Sequence, residues 1–168
     1  VSITSFAQKG MSKNKKALIK SIEQHKNKLI EISDNIWEAA EPALLEFKSS
    51  NYLSDYAEEN GFTVKKGVAG IETAFIAEYG EGLPVIAILG EYDALPGLSQ
   101  EAIAEKKSAG KAAGHACGHH LFGTASTAAT IEVKNWLKAN HKKGTIRFYG
   151  CPAEEGGSGK VYLVREGL

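Results

Sequence analysis

Three short stretches concentrate the side chains able to do chemistry. Residues 115–120 read His-Ala-Cys-Gly-His-His, which packs three of the chain's five histidines and one of its two cysteines into six positions. A thiolate and an imidazole one glycine apart, Cys117 and His119, suit zinc, cobalt, nickel or a related divalent ion. Gly118 between them lets the backbone bend so that both side chains converge. A nearby cation would lower the Cys117 pKa and keep its sulfur as thiolate. His115 and His120 are weaker ligand candidates, better suited to positioning the loop or touching substrate.

The second stretch, residues 151–159, reads Cys-Pro-Ala-Glu-Glu-Gly-Gly-Ser-Gly. Adjacent carboxylates directly after an apolar strand repel each other unless solvent, protons or metal offset the cost. One of Glu154 and Glu155 can bind metal while the other handles the proton of an activated water, and the spacing leaves either order open. The third stretch, residues 90–97, reads Gly-Glu-Tyr-Asp-Ala-Leu-Pro-Gly. Asp93 is placed to hydrogen-bond the outer nitrogen of a ligating imidazole, and Glu91, two positions earlier, shares its face if the strand continues. Tyr92 and Ser158 are candidate substrate contacts. Cys151 reads as a core thiol, and His25 and His141 as solvent-facing. No Gly-x-Ser-x-Gly elbow supports a serine hydrolase.

These stretches need a scaffold, and the apolar pattern supplies one. Leu18, Ile22, Leu29, Ile32 and Ile36 predict a helix over residues 14–37. After Pro42, a second helix is predicted with Leu44, Phe47, Leu53, Tyr56 and Ala57 turned inward, stopped by Gly61. Residues 73–79 read as a strand and residues 84–90 as an almost uninterrupted apolar run. That run predicts an interior strand buried on both faces, paired with its predecessor through the turn at 80–82. Residues 91–117 form a long functional loop. A third helix over 118–139 buries Leu121, Ala125, Ala128, Ala129, Val133, Trp136 and Leu137. A strand over 145–150 and a short helix using Val161, Leu163 and Val164 follow.

This order fits an α/β fold with a mixed sheet, the beginning of a layered domain. Ligands in such domains gather beyond the carboxyl ends of strands, which places Glu91, Asp93, Glu154 and Glu155 at one rim. Twenty basic residues balance twenty acidic ones, so no long-range field draws the chain to nucleic acid or to an anionic membrane. No apolar run approaches the ~20 residues of a membrane span. Residues 1–13 read as a tag remnant or flexible leader, with Met11 resembling a natural start and no signal peptide. A reduced Cys117 points to a cytoplasmic setting.

Taken together, the segments Gly-Glu-Tyr-Asp-Ala-Leu-Pro, Gly-His-Ala-Cys-Gly-His-His and Pro-Ala-Glu-Glu-Gly-Gly resemble the M20 metallopeptidase family. The likeness is to its amidohydrolase branch, which includes aminoacylase-like enzymes and aminobenzoyl-glutamate hydrolases, and it covers most of residues 14–168. The resemblance implies a three-layer α/β/α catalytic domain, here partial, with two divalent metal ions (Zn, Mn, Co or Ni). It implies Cys117, His119 and Glu155 as ligands, Glu154 as general base and Asp93 as support for the metal site. The implied reaction is hydrolysis of an amide in an N-acyl or N-aroyl amino acid or a small peptide, by an enzyme that can form a homodimer.

Two positions depart from many relatives: His120 stands where they have Asp, and Phe122 where they have a further His. Both favour the aminobenzoyl-glutamate-hydrolase-like group over the plant auxin-conjugate type. Family members are well over twice this length, carry an inserted lid or dimerisation domain and supply two later histidine ligands. The chain therefore reads as the N-terminal part of the catalytic domain, retaining one metal ion or none and weakly active or inactive alone. Two other readings compete: a non-catalytic metal-binding or interaction fragment, and a Cys117 nucleophile activated by His115 or His119. The missing Cys-x-x-Cys motif argues against dithiol redox chemistry.

Overall fold

A computed structural model describes residues 11–168; the leader expected over residues 1–13 lies, as far as residue 10, outside them. Helix α1 (Lys13–Ala39) starts at Ser12, whose hydroxyl accepts the Lys15 amide at 3.3 Å, a side-chain cap for an otherwise orphaned donor. Helix α2 (Phe47–Glu59) follows, then β1 (Thr63–Lys66), a short 3-10 turn (Val68–Gly70), β2 (Phe75–Glu81) and β3 (Val85–Gly90). Two-residue strands β4 (Leu95–Pro96) and β5 (Ala113–Gly114) pair across the long loop. Helix α3 (His119–Ala139), β6 (Gly144–Gly150) and α4 (Gly159–Arg165) complete the chain.

The main sheet runs β1-β2-β6-β3, antiparallel except for the parallel pair of β3 and β6. The mixed sheet agrees with the sequence, but two expectations about β3 do not hold. It does not pair with β2, because β6 inserts between them. Nor is it an interior strand among the described residues: there it lies on the edge, and Val85, Ile86 and Leu89 are exposed. An apolar run specifies a strand, whereas its burial depends on what lies beside it.

Helices α2 and α3 cover one face of the sheet, with α1 packed across both. Their core joins Ile32 and Ile36 of α1, Leu53 and Tyr56 of α2, and Phe75, Ile146 and Phe148 of the sheet. Each fully buried side chain of this size contributes roughly 1.5–3 kcal/mol. The opposite face carries a thinner layer, where Leu163 of α4 meets Val68, Ile71, Ala74 and Cys151, with Ile76 and Tyr149 against them.

Three expected inward stripes need correction. In α2, Leu53, Tyr56 and Ala57 are buried but Leu44 and Phe47 are exposed; Leu44 precedes the helix, in a left-handed conformation. Of the three apolar residues expected inward in α4, only Leu163 is buried, and Val161 and Val164 face out. In α3 the buried side carries Gly123, Thr124, Ser126, Thr127, Thr130 and Ile131, while Leu121, Ala125 and Ala129 are exposed. The hydroxyls of Thr124, Thr127 and Thr130 each bond the carbonyl four residues back, so burying them leaves no donor unpaired. Gly123 is needed there because a Cβ would stand 2.6 Å from the Glu91 carbonyl oxygen. That close approach brings the start of α3 against the exit of β3.

Candidate metal centre

The parallel strands β3 and β6 end level with each other, Gly90 opposite Gly150, so the chain leaving each enters the same rim. The amide of Cys151 still bonds the Gly90 carbonyl at 2.9 Å. Beyond it, residues 91–93 lie beside residues 152–155. Helix α3 brings the third stretch. Gly118, at φ 77°, is its N-cap residue, a left-handed turn that glycine adopts without steric cost. This turn exposes Cys117 and buries His119.

His119 is the hub. Its Nδ1 lies 3.0 Å from both the Asp93 carbonyl oxygen and Asp93 Oδ1. Both partners are acceptors with Asp93 ionised, so Nδ1 carries the proton and donates. In the neutral ring the lone pair is then left on Nε2. That atom faces Glu91 Oε2 at 3.0 Å, Glu155 Oε1 at 3.8 Å and Glu154 Oε2 at 3.9 Å. Three carboxylates turned on an imidazole lone pair repel it and one another unless a proton or a cation lies among them.

The donor atoms fit a cation. Cys117, His119 and Glu155 each present one ligand atom within 4.8 Å of the others, as do Glu91, His119 and Glu154. Glu155 Oε1 is buried with no hydrogen-bond partner, an acceptor whose burial is costly unless a cation or a water satisfies it. Sulfur, imidazole nitrogen and carboxylate oxygen form a donor set typical of zinc and its neighbours.

Asp93 braces this set from behind. Its Oδ1 holds His119, and its Oδ2 accepts the backbone amide of Glu155 at 2.8 Å. Burial alone would raise the Asp93 carboxyl, but the bonds from His119 and the Glu155 amide outweigh it and hold it below the usual carboxylate range. For His119, burial pulls the imidazole down, and Asp93 followed by Glu91 more than reverses it, so its pKa is raised. Carboxylates around Cys117, Glu155 foremost, push that thiol up; a bound cation would reverse this effect. Glu91 also pairs with Lys160 through its other oxygen.

The structure therefore brings Asp93, Cys117, His119, Glu154 and Glu155 to one rim, with Glu91 among them. His115 takes a positioning place: its Nε2 donates to the Ile36 carbonyl at 3.0 Å, tying the loop to α1. Burial pushes its pKa down to about 4. His120 packs edge-on against Trp37, with ring centroids 4.9 Å apart. Tyr92 is not a substrate contact. It is fully buried, with its hydroxyl donating to the Thr73 carbonyl at 2.6 Å, because the residue between Glu91 and Asp93 points to the opposite, core side. Ser158 is exposed, and Cys151 is a buried free thiol.

One participant was not legible from the motifs. Glu46 is fully buried; its Oε1 accepts the amides of Leu44 at 2.9 Å and Ala153 at 2.8 Å, and its Oε2 accepts the Thr73 hydroxyl at 2.8 Å. Burial raises its pKa, against the lowering effect of these bonds. The only signal in the sequence was an acid set among Leu44, Leu45 and Phe47.

Comparison with known proteins finds a matching family, relatives and solved structures of the same fold. Residues 87–168 match the model of peptidase family M20/M25/M40. The chain is 51% identical over 150 residues to one of the subunits of p-aminobenzoyl-glutamate hydrolase from Escherichia coli (strain K12), an alignment covering 88% of this chain and 31% of that protein. It is 30% identical to a Xaa-Arg dipeptidase of Mus musculus over 91% of this chain and 35% of the relative. A solved Bacillus subtilis structure, described as a dinuclear metal binding peptidase from the M20 family, superposes with a TM-score of 0.71 at 30% identity. It covers 86% of this chain and 40% of its own. The chain thus spans about a third of the length of these curated relatives.

Proposed function

From the premise that this chain belongs to the M20/M25/M40 peptidase family, we propose that it supplies the metal-binding rim of an enzyme hydrolysing an amide bond in N-acyl or N-aroyl amino acids. The observation that carries this reading is His119 Nε2 set among three carboxylates, beside the partnerless, buried Glu155 Oε1. Cys117, His119 and Glu155 would hold metal. The likeness to a dinuclear peptidase favours two ions in the whole protein, with zinc, manganese, cobalt or nickel each compatible with the donors. When bound, such ions supply Lewis acidity that acidifies water and polarises a substrate carbonyl.

Glu154 is the general base in this reading. Its side chain is 42% exposed, in contrast to 15% for Glu155, so it reaches the side from which substrate arrives. It accepts the proton of the attacking water and returns one to the departing amine. Asp93 fixes the His119 tautomer and the Glu155 backbone. The exposed thiol and Gly156, beside which nothing lies within 4 Å, leave room for the substrate, whereas Gly157 lets the turn close on Ala153. Aminobenzoyl-glutamate is the first substrate to try, on the strength of the 51% identical relative.

The test is Glu154→Gln in the whole protein. Metal content should stay near wild type while turnover of aminobenzoyl-glutamate and acyl-amino acids falls about 10²–10⁴-fold. A variant that keeps near-parental turnover removes Glu154 from the base role. The 168 residues by themselves should bind metal without appreciable turnover, since three ligand side chains leave two ions incompletely held. A homodimer of the whole protein and a reducing, cytoplasmic setting extend the same reading. The two free cysteines support the latter, and among the described residues no helix is long and apolar enough to cross a membrane.

A further inference from the structure

We infer that Glu46 is a positioning residue for the metal centre, acting through the backbone of residues 152–155. This rests on the reading of Glu154 and Glu155 given above and adds a residue from a distant part of the chain. Residues 152–155 are gripped at two points. Asp93 takes the Glu155 amide at 2.8 Å, and Glu46 takes the Ala153 amide at 2.8 Å. Between these two grips stands Glu154.

The Glu46 grip acts where the backbone most needs one. Ala153 is fully buried and left-handed, at φ 58°, a conformation that L-residues other than Asn and Asp seldom hold unless the surroundings impose it. Its amide ends on Glu46 Oε1, and its carbonyl accepts the Gly157 amide at 3.0 Å. The turn that throws Glu154 outward and Glu155 inward is thus set at Ala153. Glu46 is itself fixed at both ends: the Leu44 amide shares Oε1, and the Thr73 hydroxyl holds Oε2. Thr73 in turn is tied to the strand exit, because its carbonyl accepts the Tyr92 hydroxyl. One chain of contacts therefore joins the entry of α2, the segment before β2, and both sides of the rim.

What this geometry asks of residue 46 is reach and an acceptor, more than charge. Glutamine offers one oxygen for both amides and an NH₂ group for the Thr73 hydroxyl, which can turn to accept. Aspartate keeps the charge but is one methylene shorter, so it cannot span Ala153 and Thr73 together. The test is cobalt(II) titration of the intact protein as wild type, Glu46→Gln, Glu46→Asp and Glu46→Ala, with thermal unfolding of each.

Glu46→Gln should match wild type in cobalt affinity and ligand-field absorption. Glu46→Asp and Glu46→Ala should weaken affinity about tenfold or more, within the range typical for residues supporting a metal ligand, and alter the ligand-field bands. The thiolate-to-cobalt band of Cys117, which lies off the gripped segment, should persist. If Glu46→Ala fails to fold, the Gln and Asp pair decides. Wild-type spectra in both Asp and Ala, or a defective Gln beside a normal Asp, would overturn the role of Glu46 alone. No thiolate band in wild type would overturn the metal-centre reading and this inference with it.

Discussion

Strands β6 and β3 run side by side in the same direction and end at the same rim, yet β3 is the more apolar of the two. Ile146 and Phe148 on β6 are 0% exposed, whereas Val85, Ile86 and Leu89 on β3 are 46%, 50% and 44% exposed. Strand β6 bonds to β2 on one side and β3 on the other, under α2 and α3. Among the described residues, strand β3 has one partner strand, and only its Ile88 joins the core. Burial thus follows the neighbours of each strand and not its apolar content. For the site, the consequence is an asymmetry: Glu154 and Glu155 leave a clamped strand, and Glu91 and Asp93 leave an edge strand secured mainly at its end.

The largest effect that would break this contrast is Phe148→Ala on β6. Its ring packs against Phe75 at 5.4 Å between centroids, and removing it should cost about 3–5 kcal/mol by urea unfolding. A loss under about 1 kcal/mol would mean that β6 is not the anchored strand.

The loop that carries Cys117 toward both strands gives the next effect, through pH. His115 has a folded-state pKa of about 4 against an ordinary 6.5, because it is buried. Between those values the unfolded chain binds a proton that the folded chain refuses. Stability from this group is therefore complete above pH 6.5 and lost as pH falls toward 4, about 3 kcal/mol in all. His115→Leu should lack that slope, and an unchanged slope between pH 6.5 and 4 would show that the loop does not bury His115 as a neutral group.

How far the sequence revealed these features follows their range along the chain. Cys117 and His119 are two positions apart, and Glu154 and Glu155 adjoin, so side-chain type and spacing alone marked them. Asp93 was legible because it sits just past an apolar strand. The position of β6 between β2 and β3 was not, since it depends on pairing residues 75–81 with residues 144–150. The buried face of α3 was legible at Ala128, Val133 and Leu137 but not at Leu121, Ala125 and Ala129, because threonine hydroxyls satisfied within the helix can be buried like apolar groups. Glu46 escaped notice for a related reason. Its partners at 44, 73 and 153 converge only after folding, and they turn the charged residue inward while Leu44 and Phe47 face out.

A smaller effect tests how the last residue of β6 feeds the rim. A Cβ on Gly150 would lie 2.2 Å from the Phe75 ring, whose surroundings are core. Gly150→Ala should therefore cost about 1–3 kcal/mol by overpacking, and by shifting Cys151 and the residues after it should also weaken cobalt binding. Stability falling with no change in cobalt affinity would uncouple β6 from the rim it feeds.

The smallest effect belongs to Leu89→Ser, on the exposed strand. In the parallel register Leu89 stands beside Tyr149, on the face away from α3, while Ile88 beside Phe148 turns to the core. Replacing a side chain that is already 44% exposed removes little burial, so stability of the 168-residue chain should change by no more than about 0.5 kcal/mol. Cobalt affinity should also hold, because Asp93 is fixed through His119 and the Glu155 amide rather than through the outer face of β3. A loss above about 1 kcal/mol in urea would show that this face is covered in solution, and the distinction between the two strands would then disappear.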